Sequence, residues 1–256
     1  MKIGIIGGCG WIGAALGRAL VETGTVAAPE LIILRRDGRP GTYFGHAVSW
    51  ARDAAELVER ADVIIVSVRP EDWPALALEA HGKLVISMMA GVPISALGPR
   101  SIRAMPNAAA EIRAGYTPWV AGPAASPADK AQARAILSVT GGEDELTEED
   151  HLDLMTALSG SGSAYPALMA VAMMEFLRAA GLSREVAERA AEAVICDAAQ
   201  LLKGKMHEAP ALVQAFIDYA GTTAVGLNKA EEAGFSRAIQ AALEAATERA
   251  REMRAD

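Results

Sequence analysis

The sequence feature that most constrains the fold is a glycine motif near the start of the chain. A short apolar run is followed at once by Gly8-Cys9-Gly10-Trp11-Ile12-Gly13, which has the G-x-G-x-x-G spacing, and then by a helical pattern. In such a turn from strand to helix, Gly8 permits the tight turn, Gly10 lets the backbone approach a pyrophosphate, and Gly13 lets the helix pack close to the strand. The start of the helix adds N–H donors and a positive dipole for the phosphates. The motif therefore predicts a dinucleotide-binding domain in which residues 8–13 contact the cofactor.

Short apolar runs alternate with helical stretches through the first half of the chain. Continuous runs rich in β-branched residues, separated by helices, are typical of a parallel sheet covered by helices on both faces. The pattern predicts strands at 2–6, 30–34, 63–68 and 84–88, shorter candidates at 102–104 and 119–121, and helices at 12–22, 52–60 and 71–80. These elements indicate an α/β fold whose N-terminal part is a Rossmann domain with a doubly wound parallel sheet.

The pattern changes after about residue 143, beyond which no convincing strand is present. Helices are predicted at 160–180, 183–203 and 236–254, with Thr147, Ser183 and Ser236 as N-cap residues. We therefore expect two domains, a dinucleotide-binding Rossmann domain over 1–145 and an all-α domain over 146–256. Apolar, alanine-rich helices in so small a domain need more burial than the domain itself supplies. We expect this half to carry dimerisation, so that the protein is a homo-oligomer, at least a dimer.

Composition narrows the classes of partner. The net charge is −8 and the chain has no Lys/Arg run, which argues against nucleic acid. The four histidines and two cysteines form no metal-ligand pattern, so no metal site is expected, and Cys9 and Cys196 are expected to be free thiols in a reducing compartment. The most apolar late segment, 165–177, is too short to span a bilayer. We expect a soluble, cytoplasmic protein that binds neither nucleic acid nor membrane.

Two arginines at the end of the second predicted strand bear on the choice of dinucleotide. An NAD site presents an acid at this point for the ribose 2′-hydroxyl, whereas guanidiniums suit a 2′-phosphate. Arg35 and Arg36 follow the strand, which favours NADPH. Asp37 would reach the ribose position after a shift of two residues, which leaves NADH as the less favoured alternative. Val68-Arg69-Pro70 follows the third strand, at the sheet edge where ligands bind, and is also expected to contact the cofactor.

Several further motifs give the sequence a family resemblance. The segments are Val68-Arg69-Pro70, Ser87-Met88-Met89-Ala90-Gly91, Met105-Pro106-Asn107, the run TALSGSGSAY from Thr156 to Tyr165, Gly221-Thr222-Thr223, Glu232-Ala233-Gly234-Phe235 and the ending from Glu244 to Glu252. The combination of the M-P-N motif with the TALSGSG run is specific. Through these segments the chain resembles the pyrroline-5-carboxylate reductases over nearly its full length.

The resemblance implies an NADPH-dependent oxidoreductase of proline biosynthesis, and so of amino-acid biosynthesis. Its substrate would be the cyclic imine 1-pyrroline-5-carboxylate, its product proline, and its assembly a homodimer held by the helical domains. The resemblance also implies that Thr223 is the catalytic hydroxyl, which bonds the ring nitrogen or the carboxylate. It places Asn107, Ser161, Gly221, Thr222 and Thr223 at the substrate, and it adds Ala90 and Asn107 to the cofactor contacts. Backbone N–H groups around residues 221–223, at a helix start, would hold the carboxylate.

The sequence departs from the family pattern near the expected substrate. Asp218-Tyr219-Ala220 stands where the family has S-P-G, Ser163 replaces a proline and Ala54 replaces an asparagine. The glycine loop, Gly7-Gly8-Cys9-Gly10, also has an extra residue. An aspartate beside a substrate carboxylate is unfavourable, because like charges repel. The alternative interpretation is therefore a related NADP-dependent imine or ketone reductase with a different, less anionic substrate. A cofactor-binding regulator without turnover is a third.

Overall fold

The computed structural model describes residues 1–255, and the chain divides into two compact units. One unit comprises Met1–Gly162 together with Glu244–Asp256, and the other comprises Ser163–Leu243. The domain bounds inferred from the sequence, 1–145 and 146–256, describe a functional division. Packing within a single chain does not test that division, so those bounds stay a prediction.

An eight-stranded sheet forms the centre of the first unit. Its strands are β1 (Ile3–Ile6), β2 (Leu31–Leu34), β3 (Ser49–Trp50), β4 (Val63–Val66), β5 (Leu84–Ser87), β6 (Ser101–Ala104), β7 (Gly115–Ala121) and β8 (Gly141–Glu145). They lie in the order β3-β2-β1-β4-β5-β6-β7-β8, and every neighbouring pair is parallel except β6 with β7. The order reverses at β1, so β2 and β4 flank the strand that leads into the glycine loop.

The apolar runs form strands because both of their faces are buried. Ile3 and Ile5 of β1 belong to one core cluster, whereas Ile6 belongs to a second one. In β4, Ile65 joins the first cluster and Ile64 the second. Since side chains of a strand alternate between faces, the two clusters lie on opposite sides of the sheet. This confirms the doubly wound α/β sheet expected from the sequence.

Six helices and the end of a seventh belong to the first unit. They are α1 (Trp11–Glu22), α2 (Ala54–Arg60), α3 (Trp73–Leu76), α4 (Ile94–Leu97), α5 (Pro127–Leu137) and α6 (Glu149–Met155), with the last residues of α11 (Phe235–Ala255). The helix predicted over 71–80 is wrong in extent. Pro70 opens a 3-10 turn, α3 lasts four residues, and Ala77 then adopts a left-handed φ of 42° that ends it.

The segment between β7 and α6 holds elements that hydrophobic periodicity did not reveal. Helix α5 begins with a capping box, in which the Ser126 side chain accepts from the Asp129 N–H and the Asp129 carboxylate accepts from the Ser126 N–H. Strand β8 has the sequence GGEDE and pairs in parallel with β7. The predicted N-cap at Thr147 is wrong, because α6 begins after Glu148 and has no side-chain cap.

All regular elements of the second unit are helical. It contains α7 (Ala164–Ala179), α8 (Arg184–Glu192), α9 (Ala209–Asp218), α10 (Thr222–Glu232) and the first part of α11. Ser183 caps α8 by accepting from the Val186 N–H, as predicted. The predicted cap at Ser236 is wrong, since α11 begins one residue earlier and the Ser236 hydroxyl donates to Glu231. Over residues 1–255, no helix is at once long enough and apolar enough to cross a membrane.

Candidate cofactor and substrate sites

The glycine loop leaves β1 through a left-handed residue. Gly7 has a φ of 80°, and a Cβ atom there would lie 2.2 Å from the Ser67 carbonyl oxygen, on the chain that follows β4. Only glycine fits this position. The left-handed residue of the loop is therefore Gly7, directly before the motif, and Gly8 lies within the tight turn that follows. The Gly10 N–H then donates to the Gly7 carbonyl at 2.9 Å and closes the loop.

The loop ends at the N-terminus of α1, where it can hold an anion. A Cβ atom on Gly13 would lie 2.5 Å from the Gly7 carbonyl oxygen, so the helix approaches the loop as closely as the motif predicts. Gly10 is the N-cap residue, it supplies no capping side chain, and the first turn of α1 contains no acid. The first N–H groups of the helix therefore remain available, together with its positive dipole. These residues fit the pyrophosphate of a dinucleotide.

A buried tyrosine supports this loop from a distant segment. The Tyr43 hydroxyl donates to the Gly8 carbonyl at 3.1 Å. Residue 17 on α1 must be glycine to leave room for this hydroxyl, because a Cβ atom there would lie 2.1 Å from it. Burial raises the pKa of Tyr43, so the phenol is neutral and donates. Desolvation also raises the pKa of the Cys9 thiol. This favours the neutral thiol, which adds no negative charge where phosphates would bind. No motif or periodic pattern pointed to Tyr43, which lies between β2 and β3.

Both arginines predicted to select NADPH follow β2, and each already has a carboxylate partner. Arg35 contacts Asp37 at 3.3 Å, and Arg36 contacts Asp72 at 2.8 Å. Asp37 also accepts from the Arg39 N–H at 3.2 Å, which holds its side chain in the local turn. Asp37 is the acid on which the alternative of NADH rested. Its carboxylate is already bonded within its own loop, to Arg35 and to the Arg39 N–H.

The other predicted cofactor residues lie at the same edge of the sheet. Val68 and Arg69 follow β4, Pro70 opens the 3-10 turn, and Ala90 follows β5. Because β1, β4 and β5 are parallel neighbours, their carboxyl ends share one edge with the glycine loop. Open α/β sheets bind ligands at that edge, where the strand order reverses.

One further contact at this edge involves a residue that the sequence did not single out. The Trp11 indole is 65% exposed at the start of α1, and its Nε1–H donates to the Glu111 carboxylate at 2.9 Å. Glu111 lies in the turn after β6, about a hundred positions along the chain. The hydrogen bond joins the glycine loop to the segment that follows Asn107.

Asn107 lies close to Gly162, the residue after Ser161, within the first unit. Asn107 directly follows Met105 and Pro106 after β6, and its Nδ2 atom would lie 3.2 Å from a Cβ on Gly162. The TALSG run, residues 156–160, forms a π-helical turn, and the Ser161 hydroxyl donates to the Thr156 carbonyl at 3.3 Å. Such turns are frequent at functional sites.

In the second unit, Gly221, Thr222 and Thr223 form the start of α10. Gly221 is the N-cap residue without a capping side chain, and both threonines are exposed. The first N–H groups of the helix have no intrahelical acceptor and can bind a carboxylate. Ala220 precedes them with a φ of 55°, a left-handed conformation at the position where the family has glycine. This arrangement is the helix start that the sequence analysis predicted for these residues.

The two departures next to this helix start are also defined. The Asp218 carboxylate accepts a hydrogen bond from Gln214, one turn earlier on α9, at 2.7 Å. Tyr219 is 84% exposed, and its ring would lie 3.2 Å from a Cβ on Gly221. Asp218 is therefore engaged by its own helix.

Over the described part of the chain, no three histidine, cysteine or acidic residues form a group that could hold a metal ion, and both cysteines are free.

Comparisons with known proteins agree with this geometry. A family model described as pyrroline-5-carboxylate reductase dimerisation matches residues 149–253, and one described as NADP oxidoreductase, coenzyme F420-dependent, matches residues 2–91. A protein of Synechocystis sp. named pyrroline-5-carboxylate reductase is 34% identical, over 99% of this chain and 98% of its own length.

Solved structures give the same result for the fold. The structure of a pyrroline-5-carboxylate reductase from Coxiella burnetii is 26% identical, covers 98% of each chain and superposes with a TM-score of 0.87. The Plasmodium falciparum pyrroline carboxylate reductase with NADP bound, at 24% identity, covers 99% of this chain and 98% of its own, with a TM-score of 0.85, and shows that the fold is shared.

Proposed function

The chain belongs to the pyrroline-5-carboxylate reductase family, and from that premise we propose that it reduces 1-pyrroline-5-carboxylate to proline with NADPH. The observation that carries the proposal is the 34% identity to a reductase of that name over 99% of this chain. The glycine loop, the residues at the sheet edge and the helix start at Gly221 support it. NADPH supplies the hydride that reaches the carbon of the C=N bond, and a proton completes the amine at nitrogen.

Particular residues take defined roles in this proposal. The N–H groups at the start of α10 bind the substrate carboxylate, and the Thr223 hydroxyl bonds the ring nitrogen. The proposed substrate contacts are Asn107, Ser161, Gly221, Thr222 and Thr223. The proposed cofactor contacts are Gly8, Cys9, Gly10, Trp11, Ile12, Gly13, Arg35, Arg36, Val68, Arg69, Pro70, Ala90 and Asn107.

The alternative of a reductase for a less anionic substrate rested on Asp218. Its hydrogen bond to Gln214 gives the carboxylate a partner on α9. Full-length similarity to reductases of pyrroline-5-carboxylate favours the anionic imine. A direct assay decides: NADPH oxidation is followed at 340 nm with 1-pyrroline-5-carboxylate and, separately, with 1-pyrroline, which lacks the carboxylate. We expect turnover of the first to exceed that of the second, and the reverse order would refute the proposed substrate.

The dinucleotide preference gives a second prediction. We expect the protein to bind NADPH more tightly than NADH, because Arg35 and Arg36 follow β2. Replacing both with alanine should reduce that preference about tenfold or more, since a charge-assisted contact to a phosphate is worth about 1.5–3 kcal/mol. Titration of each nucleotide by calorimetry measures the ratio. Equal affinities in the unmodified protein would contradict the assignment of NADPH.

We further propose that the protein is a homo-oligomer, at least a dimer, held by its second unit. Neither α7 nor α9 contains a buried residue. Large apolar side chains of this unit are exposed, among them Leu168 at 69%, Phe176 at 73% and Leu201 at 75%. Large exposed apolar side chains in such number support an interface on this unit. The family model that covers residues 149–253 is one for dimerisation.

A cytoplasmic location stays a prediction.

Light scattering tests the assembly. We expect at least a dimer at micromolar concentration, and we expect Leu168→Glu combined with Phe176→Glu to shift the mass to that of one chain. Ile112→Glu is the matched control, because Ile112 is 76% exposed in the first unit and its change should leave the mass unaltered. A monomeric unmodified protein would contradict the proposal.

A further inference from the structure

The predicted site for the 2′-phosphate is electrically balanced. Arg35 is paired with Asp37 and Arg36 with Asp72, so two guanidiniums face two carboxylates. The pair with Asp37 lies within one turn, whereas Asp72 comes from a separate segment, 36 positions further along the chain. Asp72 lies in the 3-10 turn that Pro70 opens after β4.

The position of the Arg36–Asp72 pair follows from the strand order. Arg36 follows β2 and Asp72 follows β4, and these strands lie on either side of β1. The ion pair therefore joins the two walls of the crevice above the carboxyl end of β1, where the glycine loop begins. Arg36 is 80% exposed and Asp72 is 43% exposed, so the pair is accessible to a ligand and is held weakly.

We infer that Asp72 is a specificity-determining residue, which weakens the preference for NADPH over NADH by competing with the 2′-phosphate for Arg36. The inference rests on the proposed use of NADPH. When a 2′-phosphate takes Arg36, the Asp72 carboxylate loses its partner and is left beside a second anion. A ribose 2′-hydroxyl makes no such demand, so NADH leaves the pair intact. Breaking the Arg36–Asp72 pair therefore weakens the binding of NADPH and leaves the binding of NADH unchanged.

The test uses nucleotide fragments, so that its result is independent of turnover. Calorimetry measures the affinities for adenosine 2′,5′-bisphosphate and for 5′-AMP, which differ only in the 2′-phosphate. Asp72→Asn keeps the shape of the side chain and removes its charge. We expect it to raise the ratio of the two affinities by up to about fivefold, the upper end of the effect of one exposed charge pair. The same variant should raise the NADPH to NADH ratio.

Two further variants show that the effect passes through Arg36. In an Arg36→Ala background, Asp72→Asn should leave the ratio unchanged, because the coupling requires both partners. Glu22→Gln is the matched control: Glu22 pairs with Arg18 at 2.9 Å on α1, neither residue is a proposed cofactor contact, and removing this charge should not alter the ratio. An equal ratio in Asp72→Asn and the unmodified protein would overturn the inference alone. Failure of both the unmodified protein and Asp72→Asn to prefer the bisphosphate would overturn both the inference and the assignment of NADPH.

Discussion

Replacing Thr223 with alanine should lower kcat for 1-pyrroline-5-carboxylate reduction by about a hundredfold, the low end of what a positioned proton donor contributes. Thr223 is exposed in the first turn of α10, next to the helix N–H groups proposed to hold the carboxylate. A hydrogen bond to the ring nitrogen strengthens as that nitrogen gains an electron pair. The loss should therefore appear in kcat more than in KM, since it concerns the transition state.

Two companion variants separate the hydroxyl from the rest of the side chain. Thr223→Ser keeps the oxygen, and we expect it to retain most of the activity. Thr223→Val keeps the shape and removes the oxygen, and we expect it to be as impaired as the alanine variant. Steady-state kinetics at saturating NADPH measures all three. An unaltered kcat in both the valine and alanine variants would show that the catalytic hydroxyl has been assigned to the wrong residue.

Sequence periodicity was most informative for the buried centre of the sheet. Runs such as Val63–Val66 are apolar on both faces, and this leaves a continuous pattern that only a central parallel strand requires. Strand β8 has no such pattern, because it lies at the edge of the sheet and carries Glu145, which pairs with both Lys130 and Arg134 of α5. The short α3 was overestimated because the pattern took no account of Pro74 or of the left-handed Ala77.

In the candidate site, too, some residues could be predicted from the sequence and others could not. Residues within one motif, such as Gly10 and Gly13, could be placed from their spacing, because the loop and the helix start are local structures. Tyr43, Glu111 and Asp72 could not, because each acts on a segment at least 35 positions away in the chain. The left-handed Gly7, directly before the motif, was not predicted either, because its need for glycine depends on the Ser67 carbonyl of the neighbouring strand end.

A buried ionic cluster was also invisible to the sequence, and it carries the largest effect that we expect on stability. Arg103 of β6 is 1% exposed and Asp153 of α6 is fully buried. Arg103 donates to Asp153 at 3.1 Å and to Glu149 at 3.0 Å. Arg254 of α11 lies 3.3 Å from the second Asp153 oxygen, an ionic contact without hydrogen-bond geometry. The cluster thus joins β6, α6 and the end of α11 within the first unit.

Asp153→Ala should lower the free energy of unfolding by about 3–5 kcal/mol, because it leaves the Arg103 guanidinium buried with only Glu149, which is partly exposed, as a partner. Urea unfolding at one fixed protein concentration measures the change, since an oligomer's stability depends on concentration. Glu252→Ala is the control: it removes an exposed pair with Arg249 and should cost less than about 1 kcal/mol. Asp153→Asn keeps the side-chain size, so a loss close to that of the alanine variant would assign the effect to the charge. Equal stability of Asp153→Ala and the control would mean that water, and not the carboxylate, compensates Arg103.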